Sequence, residues 1–363
     1  MPLVSCNFAA VLYDRMVPLA TNQVPVPSLS INFINVSQPR EIFDRMTGSQ
    51  EFDASELSAS EHIVQHISGD QDFVAIPVFP LRSFRHRDIY INTDRISKAS
   101  DLNGKRVGVP LYTMTAAVWI RGLLQHEYGV DLSTIDWIEG SMEKPGLHGN
   151  KPSVLPPLSP VRVSPNKDPQ RGLSALLEAG ELDAIIGAHT PSCLGSSQAP
   201  QVQRLFPDFQ DVEIAYYRRT GIFPIMHVVA LRRGFYERNL FAASALYSAL
   251  EQSKETAKKT MEKASGGSVM LPWLPDHVDE VREVFGGDYW PYGLEPNRKV
   301  LEALTQYLYE QSMVEKTVRI EDMFVPVIKA SWVWMTGDRE KNMCIHGQSF
   351  FLTKWSYIAA RKF

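Results

Sequence analysis

The apolar residues of this chain switch repeatedly between a period of two and a period near 3.6, and that switching limits the folds open to it. Residues 28–36 alternate apolar and polar side chains, as a half-buried strand requires, whereas 38–46 set Ile42, Phe43 and Met46 on one helical face. A short stretch, 52–57, leads into a helix at 58–68, and strands follow at 73–80 and 88–92. Strand-helix alternation predicts an α/β fold with a largely parallel sheet, because parallel neighbours need a crossover and a helix supplies it.

The pattern restarts at Asp101. A polar turn with Gly104 feeds a buried strand at 107–109, and residues 113–128 predict a helix with Ala116, Trp119, Ile120, Leu123 and Leu124 on one face and Gly129 as its stop. Trp119 reads as packing that helix rather than stacking on a ligand. Thr113 or Thr115 is the expected N-cap. A helix N-terminus directly after a strand also suits an anion, and the two roles are compatible. A strand at 133–140, an irregular proline-rich excursion at 145–169, a helix at 172–179 and a strand at 182–186 complete this unit. Residues 221–231 form an apolar strand holding one histidine, and helices at 235–264, 278–285 and 296–311 are expected to pack back on the first lobe. The predicted architecture is two-lobed. Residues 1–100 and 221–327 make lobe 1, residues 101–220 make lobe 2, and the chain crosses near 93–104 and 218–224. Two lobes joined this way hold ligands in the cleft between them and close about a hinge. The tail, 328–363, carries Trp332, Trp334 and Trp355 without a clean period, and is expected to lie outside the core and to be dispensable. Its tryptophans leave a homo-oligomer contact open.

Composition narrows the function classes. A formal net charge of -4 argues against nucleic acid as a partner. No apolar run is long enough to span a bilayer. Asp14 and Arg15 interrupt the N-terminal stretch, so no signal peptide is read there, and Cys6, Cys193 and Cys344 are sparse and far apart. A cytoplasmic protein without disulfides, resident metal or cofactor is the expectation.

The chemistry concentrates in residues 78–90. Arg82, Arg85 and Arg87 are interleaved there with Phe84, His86 and Tyr90, directly after an apolar run. Guanidinium forks match carboxylates, and aromatic interleaving suits an aromatic acid, although a solvated basic turn is the plainer alternative. In an extended segment Arg85 and Arg87 share a side and His86 faces away, so one ligand meets all three only if the segment turns. Glu56, after Ser55, could orient a histidine, accept a phenol proton or simply favour a helix N-terminus. His227, alone on an apolar strand, is on general grounds a buried structural group.

Four segments carry a resemblance: Glu51-Phe52-Asp53-Ala54-Ser55-Glu56; Phe79-Pro80-Leu81-Arg82-Ser83-Phe84-Arg85-His86; Gly104-Lys105-Arg106-Val107-Gly108-Val109-Pro110 with Met114-Thr115-Ala116-Ala117-Val118-Trp119-Ile120-Arg121-Gly122; and Thr220-Gly221-Ile222-Phe223-Pro224-Ile225-Met226-His227. From about Tyr13-Asp14-Arg15 to about Phe324 the chain resembles the 4,5-dihydroxyphthalate decarboxylase family, which has the type 2 periplasmic-binding-protein fold. It departs from the family at Gly140-Ser141-Met142-Glu143, at His189 and after Val327. The resemblance implies loss of one carboxyl from a hydroxylated aromatic acid, such as 4,5-dihydroxyphthalate to 3,4-dihydroxybenzoate, without a cofactor. It turns His227 from structural to catalytic, with His86 and Glu56 as the other acid/base candidates. Arg82, Arg85 and Arg87 become the carboxylate clamp, and Ser55, Phe84, Thr113, Thr115, Phe223 and Asp14 the remaining substrate contacts. The alternative is a non-catalytic aromatic-acid binding protein of the same fold. A relative of the thiamine-pyrimidine synthases would need an iron site that three scattered cysteines do not offer.

Overall fold

A computed structural model of the chain describes residues 3–69, 71–149, 162–263 and 269–328, and the backbone of Cys344–Ile345 and Gln348–Ser349. The first strand, β1 (Val4–Ala10), lies in a segment whose pattern was not read as a strand, and it buries Cys6, Phe8 and Ala10 fully. After it come α1 (Val17–Ala20), β2 (Leu29–Asn35), α2 (Pro39–Ser49), β3 (Ala54–Ser58), α3 (Ala59–Ile67) and β4 (Phe73–Ile76). β4 stops short of the expected residue 80 because Pro77 has no N–H to offer a ladder. β1 pairs in parallel with both β2 and β3.

The chain then enters a second sheet. Its elements are β5 (Ile89–Asn92), β6 (Arg106–Val109), α4 (Thr115–Tyr128), β7 (Asp136–Glu139), β8 (Val163–Pro165), α5 (Leu173–Glu178), β9 (Ala184–Ile186), β10 (Val202–Arg204) and α6 (Phe209–Thr220). The strand order is β10-β5-β9-β6-β7-β8. β11 (His227–Arg232) returns to the first sheet, whose order is β2-β1-β3-β11-β4. β5 pairs with β9 and β10, so the first crossing falls between residues 77 and 88, not near 93–104. The two crossing segments pair with each other, with Ser83 N–H on the Pro224 carbonyl at 3.1 Å and Met226 N–H on that of Leu81 at 2.8 Å. The result is two α/β sheets joined by a double crossover.

The C-terminal part consists of α7 (Arg233–Arg238), α8 (Phe241–Glu262), α9 (Leu274–Phe285) and α10 (Arg298–Glu310). The single helix expected over 235–264 is interrupted at Asn239, whose backbone leaves the helical region at φ -142° and ψ 63°. α8 packs on the first lobe, where Ser253 Oγ accepts from Leu19 N–H at 3.0 Å and donates to the Arg15 carbonyl at 2.8 Å. α10 instead straddles both units. Its Tyr307 ring meets Trp119 of α4 edge-on at 5.5 Å, and Gln311 beyond its end accepts from Arg121 Nε at 2.8 Å. Gly122 permits that approach, because a Cβ there would stand 2.1 Å from the Tyr307 ring.

The proline-rich excursion is described only in part. Residues 150–161 lie outside the described residues, and 163–165 form a strand parallel to β7 rather than irregular chain. The tail expectations concern residues outside the described set, apart from Ile328 and the paired backbones of Cys344–Ile345 and Gln348–Ser349. Among the described residues no helix is long and apolar enough to cross a membrane.

Candidate active site

The parallel strands β1 and β3 end at the edge of the first sheet where β11 begins. His227 opens β11 opposite Ser58, and Glu56 opposes Val229. Directly opposed residues of an antiparallel pair share a face, so Glu56 and His227 are diagonal neighbours on one side of the sheet. Their contact follows: Nδ1 of His227 lies 2.5 Å from Glu56 Oε1. Glu56 is fully buried and also accepts from the Tyr13 hydroxyl at 2.8 Å and from Val11 N–H at 3.1 Å. An ionised carboxylate has no proton to donate, so Nδ1 must carry the hydrogen in this contact. That tautomer leaves Nε2 free, and it has no protein partner among the described residues. The Phe43 ring, edge-on at 5.0 Å, holds the imidazole from the side. Burial and the Glu56 charge push the Tyr13 hydroxyl far above its ordinary pKa, so it stays a donor.

Facing this relay is the start of α4. Thr115 Oγ1 lies 2.9 Å from both Ser58 Oγ and Ser60 Oγ and accepts from Ser60 N–H at 3.1 Å, while Ser60 Oγ donates to the Thr113 carbonyl at 2.7 Å. This hydroxyl knot joins the N-termini of α3 and α4, one from each sheet. Ser58 caps α3, but Met114 stands at the N-cap of α4 and no side chain caps it, so neither threonine does the expected job. Thr113 Oγ1 is buried without a hydrogen-bond partner. A buried, uncapped helix start presents N–H groups and a positive dipole end, and both favour an anion. Farther along, the second lobe meets α2 again. The His148 and His189 rings lie 6.0 Å apart, and burial, His189 and Arg40 lower the His148 pKa to about 4. Among the described residues no group of three or more His, Cys, Asp or Glu side chains is placed to hold a metal ion.

No family model matches the chain. It is 35% identical to 4,5-dihydroxyphthalate decarboxylase of Comamonas testosteroni over 327 residues, which is 90% of this chain and 98% of that protein. The chain belongs to the 4,5-dihydroxyphthalate decarboxylase family. The protein of the same name from Pseudomonas putida is 37% identical over 219 residues, covering 60% of this chain and 83% of the relative. Among solved structures, the periplasmic aliphatic sulphonate binding protein SsuA of Escherichia coli aligns over 96% of this chain and all of its own, at 13% identity and a TM-score of 0.48.

Within this decarboxylase family member, the expected site residues divide. Glu56 and His227 are in contact, and Thr115 reaches their strand end through Ser58, the residue opposite His227, with the Thr113 carbonyl held by Ser60. Arg85 borders the group through Met226, whose Sδ is 3.2 Å from Arg85 Nε, but its Nη1 is spent on Asp88 at 2.8 Å. His86 does not join them. It is buried against the far half of α4, among Tyr128, Phe206 and Tyr216, with Glu213 at 4.0 Å. Burial and Arg219 lower its pKa to about 4, and burial raises that of Glu213 to about 7. The segment does turn, as a 3-10 turn at His86–Asp88, yet the turn separates these side chains rather than converging them.

Arg82 is structural in its contacts. It donates to the carbonyls of Phe223 at 3.1 Å and Pro291 at 2.9 Å and to Asn297 Oδ1, tying the crossovers to the C-terminal helices. Arg87 is half exposed, over the Phe209 ring. Phe84 and Phe223 pack on each other at 4.7 Å in an aromatic cluster with Phe285. Ser55 lies on the opposite face of β3 from Glu56, since neighbours along a strand alternate. Asp14 is exposed and pairs with Arg15 at 3.0 Å. Sequence reasoning gave no role to Tyr13, Phe43, Ser58 or Ser60. The available signal was position: Tyr13 follows an apolar run, and the two serines sit where β3 gives way to α3.

Proposed function

We propose that this chain is a carboxy-lyase that removes carbon dioxide from 4,5-dihydroxyphthalate to give 3,4-dihydroxybenzoate. The carrying observation is the Tyr13–Glu56–His227 relay, which leaves Nε2 of His227 open opposite an uncapped helix start. The name shared by both curated relatives supports the same reaction.

The difficult step is putting a proton on the ring carbon that bears the leaving carboxylate. In 4,5-dihydroxyphthalate each carboxylate stands para to a hydroxyl, which can feed electron density to that carbon. Glu56 fixes the imidazole through Nδ1–H; once Nε2 has also taken up a proton, the imidazolium presents that Nε2–H to the carbon, and histidine exchanges protons near neutral pH. The new C–H bond takes a ring electron pair, and the para oxygen bears the developing positive charge. The carbon–carboxyl bond then breaks, its electron pair restores the aromatic ring, and carbon dioxide departs. His227 regains a proton from water, so one proton is consumed per turnover. The start of α4, with Thr115 and the Thr113 hydroxyl, would face the anionic end of the substrate. Closing the lobes about residues 77–88 and 221–226 would exclude water from the cleft.

The test is direct. Purified protein incubated with 4,5-dihydroxyphthalate should release carbon dioxide and 3,4-dihydroxybenzoate, and His227→Gln should abolish the release while retaining the fold. Tight binding of the diacid with no carbon dioxide released by the wild-type protein would refute the proposal and leave a binding protein.

A further inference from the structure

Arg15 has a setting that neither the relay nor the crossovers require. Its guanidinium carbon lies 4.2 Å from the Tyr13 ring centroid and 4.4 Å from that of Trp290, so the fork is held between two aromatic faces. Nε donates to the Pro80 carbonyl at 2.5 Å, and Nη1 reaches Asp14 at 3.0 Å. The walls are themselves fixed. Trp290 donates to the Phe79 carbonyl at 3.0 Å, Tyr13 to Glu56 at 2.8 Å, and the Arg15 carbonyl accepts from Ser253 Oγ. An arginine so restrained has already lost the rotamer freedom that a surface arginine would lose on binding. Only two of its donor groups are engaged. Nη2 has no hydrogen-bond partner among the described residues and is not sealed from solvent.

The other arginines near the relay are committed. Arg40 is held between Asp44 and Glu61 at 2.7 Å each, Arg85 is paired with Asp88, and both terminal nitrogens of the buried Arg82 donate to main-chain carbonyls and Asn297. Arg15 packs on the ring whose hydroxyl terminates the relay at Glu56. Asp14, its ion-pair partner, is half exposed and is also held by the Arg15 backbone N–H at 2.7 Å, so water screens the pair.

Resting on the decarboxylase reading, we infer that Arg15 binds the carboxylate that stays on the ring, and so determines which ring carbon faces His227. The carboxylate clamp would then lie at the end of β1 rather than in the arginine-rich segment 82–87. A planar fork held between aromatic faces favours a diacid over a ligand without carboxylates.

Two ligands that cannot turn over separate this from the reaction itself. Phthalate has both carboxylates and no hydroxyl, and catechol has both hydroxyls and no carboxylate. Calorimetry should show Arg15→Met binding phthalate at least about tenfold more weakly than wild type, with catechol affinity little changed and Arg15→Lys between the two. With 4,5-dihydroxyphthalate, KM should rise more than kcat falls. Unchanged phthalate affinity in Arg15→Met would overturn the assignment. So would equal losses for phthalate and catechol together with a lowered melting temperature, the signature of a purely structural residue. Wild-type protein that does not bind phthalate would overturn it as well. Wild-type protein that binds phthalate through Arg15 but never releases carbon dioxide from 4,5-dihydroxyphthalate would refute the decarboxylase reading and keep only Arg15 as a carboxylate-binding residue.

Discussion

Glu56→Gln removes one charge and almost no volume, so it isolates what the buried carboxylate does. Three donors converge on its two oxygens: the Tyr13 hydroxyl and His227 Nδ1 on Oε1, and Val11 N–H on Oε2. Glutamine keeps one oxygen and turns the other into a donor. If the amide oxygen stays with Tyr13 and His227, its NH2 faces Val11 N–H, and a buried backbone donor loses its partner at about 1–3 kcal/mol. If the amide flips, both side-chain partners lose their acceptor and the imidazole is free to reorient. Either way the folded state should lose about 1–3 kcal/mol, measured by urea denaturation. The kinetic effect should be larger. A carboxylate that orients a catalytic imidazole is worth about 10⁴-fold in kcat in the best-studied triad, so a drop of about 10³–10⁴-fold in carbon dioxide release is expected here. Folded Glu56→Gln protein that retains activity within about tenfold of wild type would show that Glu56 does not orient the catalytic imidazole.

Other outcomes follow from the same contacts. Gly122→Ala should destabilise the protein by about 1–3 kcal/mol, because the new methyl must displace the Tyr307 ring and α10 with it; a melting temperature equal to wild type would mean that α4 and α10 are not in contact. His86 binds its proton less readily in the folded chain, at about 4 against an ordinary 6.5, so the unfolded chain protonates first as pH falls. Stability should therefore drop between pH 6.5 and 4, by up to about 3 kcal/mol from this residue, and His86→Phe should remove that loss. Glu213, raised from 4.5 to about 7, acts with the opposite sign, losing stability as pH rises across that window, so the variant's stability should fall more steeply between pH 4.5 and 7 than wild type's. Urea denaturation across that range checks both, and an unaltered acid limb in His86→Phe would contradict the assignment. Arg85→Lys should cost about 1–3 kcal/mol through the buried Asp88 pair, whereas Arg106→Lys, on an exposed position, should stay within about 0.5 kcal/mol; equal melting temperatures would argue against that buried pair.

Much of this protein was legible without coordinates. The change of period between residues 28 and 128 specifies strands and helices in turn, because side-chain direction along a strand or helix depends only on local backbone geometry. Two α/β units, a crossover near 221 and a returning strand that holds one histidine follow from that pattern, although the strand begins at His227 rather than at 221, and Glu56 was marked by its place at a strand end. The segment 82–87 is less legible for the same local reason. Its arginines are dense in sequence, but each takes its role from partners that no period encodes. Arg82 meets Asn297, 215 positions away, and becomes a brace. Arg15 meets Trp290 and Pro80 and keeps an open edge. His86 and His227 look equivalent as residues near crossovers. One is buried without a hydrogen-bond partner for Nδ1, and the other is held by a carboxylate 171 positions distant. Local sequence determined which elements form and roughly where the chain changes sheet. Burial and pairing of groups far apart in the chain decided which charged side chains brace the fold and which keep an unpaired donor, because desolvation and hydrogen bonding depend on neighbours that only the folded chain brings together.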